Sequence, residues 1–372
     1  MAFSLSALDV WYLVREMRSL LADAFVDKVY QGGEGKKEFL FRLRSPKTGK
    51  QLLFLAPPNA LFLTEHRFSW PQHPPGFCMQ LRKHLTNAKV VTIEQHDFER
   101  VVELTFQKGL VSWKVVVELF SKGNVLLVNE EGLIRGVQDL QRWKDRTLRV
   151  NAPYAYPPGD KKTPWLTRES FHSLWAEANL DAVHFCAMTL RLGGKYGEEA
   201  IARAGIEKKR TVLTEEEEGR LFSAVRSLFE EELHPVMIEG DTAPFILSSW
   251  SEKEVKECSS FSEAIEKLVV SEKRIAANEE WMQGSHQAKN KWQKIIDEQQ
   301  AKLEGYRRSA EEQQQKGEWL YEHYQEVSSL LQSLQEQHAK GGWLAVRSFI
   351  EEKKLPIKVD EQKGSITLQL KK

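Results

Sequence analysis

Three cysteines in 372 residues, Cys78, Cys186 and Cys258, are too few, odd in number and too widely spaced for a disulfide framework or a cysteine-based metal site. No window approaches the roughly 18 uncharged apolar residues that a membrane-spanning helix needs. The opening MAFSLSALDVWYLV lacks the basic region of a secretory signal, so a cytoplasmic protein that engages no membrane is expected. Walker and dinucleotide fingerprints are missing, and so is any Ser-His-Asp constellation. His66, His73, His84 and His96 fall in one region, but at spacings that match no zinc motif. No catalytic group, metal or cofactor is expected, and the chain does not read as an enzyme.

Net charge is missing too: 53 Lys and Arg balance 53 Asp and Glu, which taken alone argues against a general nucleic-acid binder. The balance hides an asymmetry. Residues 1–165 hold 24 basic against 17 acidic residues, leaving 29 against 36 for the remainder. A positive front half is the expected footprint of a surface that meets phosphate, with ordinary charge scatter as the alternative.

The pattern along the chain predicts an α+β protein. Residues 5–22 place Leu5, Val10, Leu13, Val14, Met17, Leu20 and Leu21 at helical spacing, and strands are predicted at 25–31, 38–44, 51–55 and 60–64. The QGGEGKK loop at 31–37 lacks phosphate-loop spacing and reads as a hairpin turn. Phe77, Cys78, Leu81 and Leu85 then recur at helical spacing, leaving Arg82 and Lys83 on the other side. From Val101 the period becomes two, with Glu99 and Arg100 at the strand entrance, expected beside the helix end that carries Arg82 and Lys83, so that the four together can grip a phosphodiester chain. Residues 113–120 and 124–130 form a further hairpin. Arg142, Lys144, Arg146 and Arg149 then interleave with Trp143, Tyr154 and Tyr156, a composition able to contact an RNA backbone and stack bases, or equally a solvated loop with its aromatics packed down.

A helical unit follows over 166–235. In LGGKYGEEAIARAGI, two helices are expected to join through Gly193, Gly194 and Gly197, a turn able to bring backbone amides to a phosphate. Glu198 and Glu199 directly after it favour the helix and repel phosphate, which makes the segment a packing element first. Short strands near 236–250 precede a long helix in which Ala288, Trp292, Ile295, Gln299, Leu303, Tyr306 and Ala310 step by fours and threes, a coiled-coil seam. After a turn at AKGGW, a short helix over 343–353 and a hairpin ending in Ile366, Leu368 and Leu370 complete the chain. The division expected is 1–165, 166–235, 236–335 and 336–372.

Several of these strings carry a resemblance. P-x-G-F-x-M-x-L-R-K-H-L at 74–85, the segment QHDFERVV, the opening LSALDVWYLVREMRSLLADAFVDKVYQ, GNVLLVNEEGLIRGV and LGGKYGEEAIARAGI together resemble the NFACT family of ribosome-associated quality control. The resemblance implies an amino-terminal domain like that of the formamidopyrimidine-type DNA glycosylases, a helix-hairpin-helix domain, and a coiled-coil arm tipped by a small α/β domain. It implies a factor that binds a large ribosomal subunit obstructed by peptidyl-tRNA and recruits tRNA for carboxy-terminal tailing, bond formation remaining with the ribosome. Asp9, Glu99 and Arg100 match the family's positions for tRNA handling, with Glu99 standing where the family usually has Asp, and the phosphodiester chain gripped with Arg82 and Lys83 would be that of the tRNA. Ala2 and Phe3 follow Met1 where the glycosylases carry a proline nucleophile, so glycosylase chemistry is not expected. Fibronectin binding, a label some bacterial relatives bear, is the competing role, and a nucleic-acid-binding relative of the glycosylases without catalysis is the other. The family's arm has a returning second helix, and this chain stops where it would begin. Either a truncated piece, the favoured expectation, or a shortened natural form is expected, with the unpaired helix free to pair with a second copy as a homodimer.

Overall fold

Ser6 and Asp9 start the first helix: the Ser6 hydroxyl accepts from the Asp9 amide and the Asp9 carboxylate accepts from the Ser6 amide, a reciprocal cap on α1 (Ala7–Leu21). The computed structural model describes residues 3–33, 36–66, 68–144, 146–157, 165–361 and 363–368, with the backbone alone for 271–292. α1 packs on an antiparallel sheet of nine strands: β1 (Phe25–Gln31), β2 (Phe39–Ser45), β3 (Gly49–Ala56), β4 (Ala60–Thr64), β5 (Lys89–Gln95), β6 (Val101–Lys108), β7 (Val111–Glu118), β8 (Asn124–Asn129) and β9 (Ile134–Val137). Their order is β4-β3-β2-β1-β5-β6-β7-β8-β9. The predicted first helix and four strands are all present within two residues of their expected ends. The loop after β1 closes a hairpin with Gln31 opposite Phe39.

β1 and β5 pair only at Phe25 and Lys89, and α2 (Gly76–Leu85) lies against β1 where that pairing ends. Cys78, Leu81 and Leu85 are its buried stripe, while Arg82 Nε donates to the Val29 carbonyl at 2.7 Å. A two-stranded ribbon, β10 (Gln141–Arg142) and β11 (Thr147–Leu148), follows the sheet.

The helical part comprises α3 (Arg168–Ala178), α4 (Ala182–His184) running into a π-helical turn over Phe185–Thr189, α5 (Gly193–Ala204) and α6 (Glu215–Glu230). It shares one hydrophobic core with the sheet, and α1 lies between them: the Tyr12 hydroxyl donates to the Leu228 carbonyl at 2.8 Å. The glycines expected to join two helices all fall inside α5. Gly193 opens it at φ +75°, a conformation that suits glycine. Gly197 is a contact, since a Cβ there would lie 3.1 Å from the Ala187 amide nitrogen. The connection is instead Leu190, Arg191 and Leu192.

β12 (Val236–Ile238), β13 (Asp241–Ala243) and β14 (Lys256–Glu257) form a small sheet ahead of α7 (Phe261–Glu322). The buried carboxylate of Glu16 accepts from the Phe261 and Ser262 amides at 2.7 and 3.1 Å, and Phe261, Ala264, Ile265 and Leu268 are buried. α1 therefore supplies the anion for the positive end of the long helix.

Residues Met1–Asn278 and Glu279–Lys372 form two compact units. In the second, α8 (Tyr324–Glu352) is broken at Gly341 and Gly342, as the AKGGW turn predicted, and β15 (Ile357–Asp360) pairs with β16 (Ser365–Leu368). Leu334, Val346 and Ile350 form its core. Of the predicted seam, Leu303 and Tyr306 are 53% and 75% exposed. The side chains of Ala288 and Trp292 lie outside the described residues, as does Leu370.

Candidate nucleic-acid interface

The turn between β5 and β6 puts two successive non-glycine residues, Asp97 and Phe98, at positive φ of 44° and 58°. Such conformations are unfavourable for L-residues and need compensation. Phe98 supplies it by burying its ring edge-on to Phe229 at 5.1 Å. Gln95 then clamps the turn to the start of α1, its amide donating to the Ala7 and Glu99 carbonyls at 2.8 and 2.9 Å. The result is that Glu99 and Arg100 enter a cavity of about 570 Å³ shared with the start of α5.

Three cations and three carboxylates line this cavity: Arg100, Arg191 and Lys195, with Asp9, Glu99 and Asp241. Glu99 is paired with Arg191, itself held at φ +57°. Lys195 Nζ donates to the Thr242 carbonyl at 2.7 Å and lies 3.2 Å from Asp241 and 3.6 Å from Asp9. Asp9 is 1% exposed, and besides the Ser6 amide its carboxylate accepts from the buried Tyr196 hydroxyl at 2.5 Å. Burial and that carboxylate push the Tyr196 phenol well above its ordinary pKa, so it stays a donor. Arg100 differs from the other two cations. Its guanidinium is half-buried and has no hydrogen-bond or ion-pair partner among the described residues, and desolvation pulls its pKa below the ordinary arginine value. A desolvated cation without a counter-ion is an unfavourable arrangement that an incoming phosphate or base acceptor relieves.

The sequence profile of the NFACT N-terminal and middle domains matches residues 6–367. The chain belongs to the NFACT family. This NFACT protein is 29% identical to the archaeal Rqc2 homolog aRqcH of Methanocaldococcus jannaschii in an alignment of 402 residues that takes in all of the chain and 59% of the archaeal protein. It is 32% identical to ribosome quality control complex subunit 2 of Saccharomyces cerevisiae over 134 residues, 36% of this chain and 13% of the yeast protein. The solved N-terminal part of the fibronectin/fibrinogen-binding protein from Streptococcus suis matches with a TM-score of 0.61 and 20% identity, covering 72% of this chain and all of that one, a likeness of fold.

In the NFACT protein, Asp9, Glu99 and Arg100 meet in one cavity, as the sequence reading grouped them. Arg82 and Lys83 do not join them. The Lys83 carbonyl accepts from Lys108 Nζ at 3.3 Å, and Lys108 ends the strand that starts beside Arg100. Seven strand residues separate the two ends, about 23 Å at the usual rise. The expected neighbourhood of α2 and Glu99–Arg100 is thus corrected: a strand runs away from its entrance, and α2 packs toward its far end.

The basic loop also divides. Arg142, Lys144 and Arg149 are exposed, whereas Arg146 is buried in an ion pair with Glu118, whose other partner is the Tyr154 hydroxyl at 2.9 Å. Burial raises the Glu118 carboxyl while Arg146 opposes that rise. Tyr156 is likewise turned down, its hydroxyl donating to Glu103. Arg146, Tyr154 and Tyr156 thus hold the loop to the sheet, and Trp143 is the exposed aromatic.

Sequence reasoning missed Arg191, Lys195 and Asp241. Cations flanking Gly-Gly in RLGGK were the available signal. Glu198 and Glu199 do not line the cavity: Glu198 pairs with Lys208, and buried Glu199 holds Arg203 and Ser248. Among the described residues no group of three or more His, Cys, Asp or Glu could hold a metal ion, and no helix is long and apolar enough to cross a membrane.

Proposed function

We propose that this NFACT protein works in ribosome-associated quality control, binding a large ribosomal subunit that carries nascent-chain peptidyl-tRNA and holding a tRNA at the Arg100 cavity for carboxy-terminal tailing. Family membership supports the process, and the names of the archaeal and yeast relatives support it further. The observation that carries the site is the desolvated guanidinium of Arg100, unpaired among the described residues. Arg100 contacts phosphate or a base acceptor of the tRNA. Glu99 sets Arg191 in place, and buried Asp9 sets Tyr196 and Lys195, so these carboxylates position donors and do not themselves face phosphate. Exposed Arg142, Lys144 and Arg149 add backbone contacts. The helical unit and the long arm of α7 serve ribosome binding, with the chain acting in the cytoplasm.

The test is tRNA binding by Arg100→Ala beside the wild type, together with recovery on large subunits. Loss of tRNA with retained subunit binding supports the reading. Unchanged tRNA affinity rejects it.

A further inference from the structure

A second group of cations gathers on the β1–β2–β3 part of the sheet, away from the cavity. Lys28 stands directly opposite Arg42, and Arg44 directly opposite Lys50. Residues 42 and 44 are two apart on one strand, so all four side chains share one face. Like charges directly opposite each other destabilise a sheet, yet this face holds two such pairs in succession. One acid answers them: Asp27 pairs with Arg42 at 2.6 Å, while Lys28, Arg44 and Lys50 have no ion pair among the described residues. The local sequence has the same bias, with six Lys or Arg against one acid over residues 36–50.

Aromatic rings lie among these cations. Lys28, Arg42 and Arg82 approach the Tyr30 ring to 5.4, 5.8 and 5.7 Å from its centroid, and Trp70 stacks on the same ring at 6.0 Å. Tyr30 and Trp70 are half-buried, and Arg82 is fixed by its bond to the Val29 carbonyl. Three cations drawn around one ring relieve part of their repulsion through its face. The Arg44–Lys50 pair has no such compensation among the described residues.

We propose that this face binds a single-stranded nucleic-acid segment, with Lys28, Arg42, Arg44 and Lys50 on successive backbone phosphates and the Trp70–Tyr30 stack supporting a base. Cross-strand pairs two residues apart repeat about every 7 Å, a separation comparable to that of neighbouring phosphates along an extended strand. Cations interleaved with aromatic platforms are how sequence-tolerant single-strand surfaces are built. Arg82, grouped by the sequence reading with the cavity, belongs to this surface instead. The proposal stands independently of the Arg100 cavity.

The experiment uses the full chain carrying Arg100→Ala, which removes the cavity's contribution, and fluorescence anisotropy with an oligouridylate, an oligothymidylate and a polyglutamate of equal length. Lys28→Glu with Arg44→Glu should weaken oligonucleotide binding at least roughly ten-fold and flatten its salt dependence by about 0.7 for each phosphate no longer neutralised. Trp70→Ala should weaken it at least about five-fold with the salt slope retained. Tighter binding of oligouridylate than of oligothymidylate assigns RNA as the natural strand, and equal binding assigns the shared phosphodiester backbone. Because Lys28 and Arg44 are exposed, thermal unfolding of the charge-reversal variant monitors folding separately. Oligonucleotide affinity unchanged by both variants overturns the proposal, as does polyglutamate competing as well as the oligonucleotides.

Discussion

Arg100→Met separates function from folding in this protein. The native guanidinium is half-buried without a partner among the described residues, and its burial lowers its pKa, so the folded chain bears a desolvation cost that the methionine chain avoids. Stability should therefore stay level or rise, by at most about 1 kcal/mol. A bound tRNA would lose a charge-assisted hydrogen bond, about 1.5–3 kcal/mol, which corresponds to roughly ten- to hundred-fold weaker binding. Filter binding of labelled tRNA at about 0.15 M salt, where distant surface charges are screened, measures the second quantity, and urea unfolding measures the first. Destabilisation beyond about 1.5 kcal/mol with unchanged tRNA affinity would refute the reasoning. Arg100 would then be a structural residue whose removal opens a packing defect.

Arg146→Met leaves Glu118 buried without its cation and should cost about 3–5 kcal/mol in urea unfolding, whereas exposed Arg149→Ala should fall within about 0.5 kcal/mol of wild type. At the start of α7, hydrogen bonds from Lys267 and Ser259 hold the Glu263 carboxyl at about 2, below its ordinary 4.5. Its contribution is thus complete above pH 4.5 and is lost as pH falls toward 2, so Glu263→Gln should flatten acid unfolding in that window. The exposed Leu303 and Tyr306 should drive α7 to pair between molecules; sedimentation at tens of micromolar should show a dimer that Leu303→Glu with Tyr306→Glu converts to monomer.

What the sequence disclosed was mostly what neighbouring residues decide among themselves. The period of three and four in α1 and α2, the period of two in β6 and the Gly-Gly turn inside α8 each act over a few positions, so each was readable. Contacts between distant segments were not. Arg146 looked like a free cation because its partner Glu118 stands 28 residues earlier, across the sheet. Arg191 and Lys195 reach the cavity only because the Gln95 clamp and the cap of α1 bring the β5–β6 turn against the start of α5. Closeness in sequence groups Arg82 with Glu99 and Arg100, although the intervening strand carries the two ends apart. The family strings put Asp9, Glu99 and Arg100 in one group, and the three line one cavity. Their separate parts, one cap, one ion pair and one unpaired cation, required the fold.

Co-sedimentation of the wild-type chain and Arg100→Ala with large ribosomal subunits, with and without peptidyl-tRNA, and with free tRNA added, tests the central claim most directly. At about 0.15 M salt, both proteins should be recovered preferentially on the subunits that carry peptidyl-tRNA, and the wild type alone should bring added tRNA with it. Equal recovery on empty and peptidyl-tRNA-bearing subunits, or equal tRNA recovery with both proteins, would contradict the account.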